Sequence, residues 1–112
     1  MRILLLTRDF PPFHGGVAQV AYGLGAAFHA IGHEVEVHCS YRRGLSPPNE
    51  ACPFSVRTVS KRGEGDHRSF PAALEDYRRR SGEPDLVVVV HWKAARSTSR
   101  TLARARVPLF TV

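Results

Sequence analysis

MRILLLTRDFPPFHGGVAQVAYGLGAAFHAIG, residues 1 to 32, reads as one strand, one tight loop and one helix. Ile3-Leu4-Leu5-Leu6 is a continuous apolar run, the pattern of a strand covered on both faces. Asp9 to Gly16 then breaks all periodicity. Pro11 and Pro12 stiffen the exit from the strand and cannot donate to a ladder. Gly15-Gly16 lets the backbone turn sharply or approach a ligand closely. From there Val17, Val20, Ala21, Leu24, Ala27, Phe28 and Ile31 recur at i, i+3, i+4, i+7 spacing, which predicts an amphipathic helix with that stripe facing the core. Gly32 supplies its stop.

The chemistry lies in the loop. A glycine pair opening a helix after a buried strand presents free N–H groups and the positive end of the helix dipole, a site for a phosphate or another anion. The dipole alone contributes only about 0.3–1 kcal/mol, so useful binding needs further partners. A plain strand-to-helix connection satisfies the same pattern, and both readings stay open on geometry alone.

Outward from this unit, His33 to Cys39 alternates polar and apolar residues, so it is a second strand with one face less buried. Tyr41 to Phe54 is a loop, Ser55 to Val59 a short third strand at an edge, and Lys61 to His67 another loop. Ser69 can cap a helix running to Arg80, with Phe70, Ala73, Leu74 and Tyr77 on one face. Gly82-Glu83-Pro84-Asp85 ends it and leads into Leu86-Val87-Val88-Val89-Val90, a central parallel strand. His91-Trp92-Lys93 follows. A third helix is predicted over Ala94 to Ala105, with Arg96, Arg100 and Arg104 on its outer face, and a fifth strand over Val107 to Val112. Alternation of this kind predicts an α/β fold: a Rossmann-like parallel sheet in strand order 3-2-1-4-5 with helices on both faces. The ligand crevice then forms where the first and fourth strands end, at Phe10 to Gly16 and His91 to Lys93.

Composition narrows the classes. The chain has 112 residues, one domain or part of one, and 43% hydrophobic content is enough for a core. Its formal charge of +6 comes almost wholly from arginine and favours phosphorylated ligands or anionic surfaces. Cys39 and Cys52 have no metal-ligand spacing and read as reduced and structural, and no metal is expected. No secretory or membrane-spanning run occurs, so the chain is expected to be cytoplasmic, with peripheral contact to the inner face of the membrane as an option. No P-loop and no nucleophile elbow are found. Gly23 and Gly25 lie inside the helix, not in the turn before it, and read as close helix packing, not dinucleotide binding. The aromatics follow core periodicity, which argues against nucleic acid.

Phe10-Pro11-Pro12-Phe13-His14-Gly15-Gly16-Val17, followed by Ile31-Gly32-His33-Glu34-Val35-Glu36-Val37, resembles the opening of the family 4 retaining glycosyltransferases of the GT-B fold. The shared pattern is an apolar strand, a PPxxGG loop, a helix and GHEVxV. Pro84 to Val88 and Val107 to Val112 also resemble later strands of that family, so the likeness spans the chain. It implies an acceptor-side N-terminal domain, here residues 1–112, truncated and without the C-terminal donor-binding domain. It implies transfer of a sugar from a nucleotide-sugar donor with retention, and no cofactor. Gly15 and Gly16 are implied to reach the donor diphosphate, with His14 a further contact. His91 is implied as the histidine beside the reacting sugar, although it stands one residue further from Asp85 than the family spacing. Arg8 and Lys93 can neutralise phosphate.

These expectations make the chain alone inactive as a transferase, dependent on a missing domain or partner chain, and prone to self-association through strand 107–112. Two other readings differ in class. One is a stand-alone Rossmann-like module holding phosphate or nucleotide at Gly15-Gly16 without catalysis. The other is an interaction protein docking on membranes or acidic partners through Arg78 to Arg80 and the Arg96, Arg100, Arg104 stripe.

Overall fold

The computed structural model describes residues 1–10, 16–39, 52–58, 69–90 and 108–111. Along the chain run β1 (Arg2–Thr7), α1 (Gly16–Ala30), β2 (Glu34–Cys39), β3 (Ser55–Thr58), α2 (Ser69–Ser81), β4 (Leu86–Val90) and β5 (Leu109–Thr111). The five strands form one sheet in the order β3-β2-β1-β4-β5, every pair parallel, as the alternation of elements predicts. The predicted third helix over 94–105 lies outside the described residues, as do Val107 and Val112 at the ends of the predicted fifth strand.

Side chains that alternate along each strand sort into two cores. Ile3 and Leu5 of β1, Val35, Val37 and Cys39 of β2, and Val88 and Val90 of β4 face α1. Leu4 and Leu6 of β1 and Val87 and Val89 of β4 face the other way, against Ala73, Leu74 and Tyr77 of α2. Residues 3 to 6 are fully buried because β1 is central and covered on both sides. Each such side chain contributes about 1.5–3 kcal/mol on leaving water. On β2 only one face is apolar: Glu34 is exposed and Glu36 half-buried toward the α2 side, which is the alternation visible in the sequence. His38 departs from it, being 2% exposed on that same polar face.

The inward face of α1 differs from the expected stripe. Ala18, Ala21 and Gly25 are buried and Val17, Leu24 and Phe28 pack against the core, whereas Val20 is 43% and Ile31 71% exposed and Ala27 is exposed. The helix carries no charged residue apart from His29, so periodicity has little polar contrast to orient it. Small side chains win the inward positions because they let the helix lie close to the sheet. At Gly25 an added Cβ would meet the Phe54 ring at 2.8 Å, so this glycine is a packing glycine as expected. Gly23 is exposed with nothing within 4 Å, so it is not one.

Both described helices end on glycine. Gly32 sits at φ +95° and its N–H donates to the His29 carbonyl, while the His33 N–H donates to Phe28. This is the Schellman pattern, with Phe28 and His33 in ring contact across it. Gly82, at φ +81°, closes α2 through its N–H to the Arg78 carbonyl.

Candidate functional site

At the carboxyl edge of the sheet, Thr7 is level with Cys39 on one side and Val90 on the other, so β1, β2 and β4 end together. What leaves β1 there is held tightly. Thr7 is fully buried and its hydroxyl donates to the Asp9 carbonyl at 2.8 Å. Asp9 is 5% exposed, and the Arg8 guanidinium lies 3.3 Å from its carboxylate. Phe10 packs against Tyr22 and Phe54 at centroid distances of 6.0 and 6.3 Å. This aromatic contact ties the entry of the loop to the middle of α1.

The far side of the same loop is Gly16, the first residue of α1. It is exposed, and an added Cβ would find nothing within 4 Å. The first N–H groups of a helix have no partner within it, so this terminus presents donors and positive dipole character. Its first turn carries no acidic residue to neutralise that character. The arrangement can receive an anion.

Of the residues singled out from sequence, Gly16 is placed at this edge. His14, Gly15, His91, Lys93 and the Arg96, Arg100, Arg104 stripe lie outside the described residues. Arg8 is turned onto Asp9. Asp9 was not picked out by sequence reasoning. The available signal was an acid directly between a buried strand and a Pro-Pro loop, a position where carboxylates bond local backbone.

The arginines at the end of α2 are mostly committed within the chain. Arg78 lies between Glu75 at 2.6 Å and Glu83 at 2.8 Å. Arg80 reaches Asp76 and makes a two-pronged contact to Glu36 on β2 at 2.9 and 3.1 Å. Only Arg79 of the three is widely exposed, at 77% of its side chain. Glu36 also contacts the buried His38 ring at 2.6 Å. Burial pushes the Glu36 carboxyl up, but the hydrogen bonds to His38 and Arg80 outweigh it and bring the group down to about 2. Both cysteines are free thiols. Burial pushes Cys39 up to about 12 and raises Cys52 as well. Among the described residues no group of three or more metal-ligating side chains occurs, and no helix is long and apolar enough to cross a membrane.

Comparison with known families gives a match between residues 15–112 and the model described as glycosyl transferase 4-like domain. No curated protein matches the chain.

Proposed function

Because the chain belongs to the glycosyl transferase 4-like domain family, we propose that it forms the acceptor-side wall of a cleft in which a sugar passes from a nucleotide-sugar donor to an acceptor with retention of configuration. The observation that carries this reading is the N-terminus of α1 at Gly16, where among the described residues an added Cβ meets nothing within 4 Å, on the chain that leaves the carboxyl end of β1 next to β4. In such a transfer the nucleoside diphosphate leaves as an anion. Helix N–H groups stabilise that developing charge without reorganising at the moment of reaction. Gly15 and Gly16 are assigned this role, with His14 a nearby contact. His91, six residues beyond Asp85 on the exit from β4, is assigned a place beside the reacting sugar.

One wall does not make a cleft. Retaining transfer requires donor and acceptor held together away from water, so the donor's base and sugar are assigned to a second domain or a partner chain. The chain by itself then binds a nucleoside diphosphate weakly, with a dissociation constant on the order of millimolar, because a few backbone donors must offset the entropy of association.

Calorimetric titration of the purified chain with UDP and GDP tests this. The expected result is weak binding that falls by about tenfold or more in Gly16→Val, with thermal stability retained because the new side chain meets open space. Binding indifferent to Gly16→Val would overturn the assignment. Micromolar affinity lost in Gly16→Val would instead favour a self-sufficient phosphate-binding module.

A further inference from the structure

We propose that an aromatic ridge along α1, formed by Tyr22, Phe54 and His29, binds a neutral oligosaccharide. This deepens the glycosyl-transfer reading, on which its functional meaning rests, by giving the acceptor a class: a glycan chain.

Helical spacing builds the ridge. Tyr22 and His29 stand at i and i+7, so they share one face of α1 and lie about 10 Å apart along its axis. Between them on that face is Gly25, whose missing side chain admits the Phe54 ring. Phe54 lies 6.1 Å from the Tyr22 ring and 6.3 Å from the His29 ring, centroid to centroid. Phe54 and Phe10 are buried, whereas Tyr22 is 37% exposed and His29 is exposed as well. The buried rings thus brace Tyr22 from within and leave its outer side to solvent. A ring held in this way loses little freedom when a ligand settles on it.

The chemistry of the face selects the ligand. α1 contains no lysine, arginine, aspartate or glutamate, so this surface is built for an uncharged partner. Helices that lie on anionic membranes are rich in lysine and arginine, which α1 lacks. A pyranose ring has an apolar C–H face and a rim of hydroxyls. Its C–H hydrogens meet the negative face of an aromatic ring favourably. The Tyr22 hydroxyl, the His29 ring and the exposed Gln19 amide, one turn before Tyr22, supply donors and acceptors for the rim. The spacing of Tyr22 and His29 matches two linked hexose rings. Tyr22 lies about 9 Å along the helix from Gly16. A glycan with its reacting end at the carboxyl edge of the sheet therefore runs down α1 across the ridge.

The probes are cellotetraose and maltotetraose, each titrated into the full chain with amide shifts followed by NMR. Saturable shifts centred on Gln19, Tyr22, Gly23, Ala26 and His29 are expected, with millimolar affinity for at least one of the two. Methyl glucoside, a single ring, should bind about tenfold more weakly. Tyr22→Leu keeps an apolar contact with Phe10 and Phe54 but removes the ring, and should weaken tetrasaccharide binding about fivefold. His29→Ala alters an exposed position and should weaken it about threefold, which keeps the test intact if Tyr22→Leu misfolds. Absence of saturable shifts with both tetrasaccharides, shifts centred elsewhere, or binding untouched by both variants would overturn the proposal. Shifts at these residues from dodecylphosphocholine micelles but from neither saccharide would overturn it in favour of a lipid surface. UDP titrated into the same sample separates the two readings. UDP shifts at Gly16 without saccharide shifts remove only this inference, and saccharide shifts without UDP shifts remove only the phosphate assignment.

Discussion

A methyl group at Gly25 would collide with the Phe54 ring at 2.8 Å, while the same group at Gly23 would touch nothing. Both glycines cost helix propensity. Gly23→Ala should therefore raise stability by up to about 1 kcal/mol. Gly25→Ala should lower it by about 1 kcal/mol, because Phe54 is itself packed against Phe10 and Tyr22 and cannot swing away freely. Urea unfolding of the two variants gives both signs. Glu36 carries a different kind of prediction. Its folded value near 2 lies below the ordinary 4.5, so it adds stability above about pH 4.5 that is lost as pH falls toward 2. At a partly open site this amounts to about 1–2 kcal/mol. Glu36→Gln should be less stable than the native chain at pH 7, and the difference should shrink between pH 4.5 and 2. Gly25 was recognisable in the sequence as a packing glycine. Glu36 was not recognisable as an anchor, because its partner Arg80 is remote along the chain.

Among the elements, the join between α2 and β4 explains what Pro84-Asp85 does. The Asp85 carboxylate accepts the Arg2 N–H at 2.7 Å, and the Asp85 N–H donates to the Arg2 carbonyl at 2.8 Å. With the Arg2 guanidinium on Ser81 and Glu83, this ties the start of β4 to the start of β1 in the register Ile3 to Leu86. A slip of one residue would exchange the two faces of β4. Asp85→Ala should cost about 1–2 kcal/mol and speed hydrogen exchange at Leu86 to Val90, since a buried ladder loses its fixed end. The identities of the described helices and strands were legible from periodicity, and the stops of α1 and α2 from Gly32 and Gly82. The rotation of α1 was not, because an uncharged helix gives periodicity nothing polar to set against the core. The arginine run at the end of α2 misleads for a related reason. Sequence shows three adjacent cations, but not that Glu36, Glu75, Asp76 and Glu83 hold two of them.

For the molecule as a whole, strand order was legible because right-handed crossovers leave few ways to arrange alternating strands and helices. It fixes where the chain can hold a ligand: β1 and β4 are neighbours, and the chain leaves them in opposite directions along the sheet. The family match from residue 15 onward covers Gly16 at the start of α1 and all of β4, which ends level with β1 at the carboxyl edge of the sheet. The role proposed for the opening of α1 is to receive the diphosphate of a nucleotide donor. The most direct measurement is an NMR titration of the isotopically labelled chain with UDP, read amide by amide in the native protein and in Gly16→Val. Saturable shifts concentrated at Arg8 to Phe10 and at Gly16 and Val17 are expected, with their loss in the variant. Shifts centred elsewhere on the sheet, or unchanged binding in Gly16→Val, would contradict it.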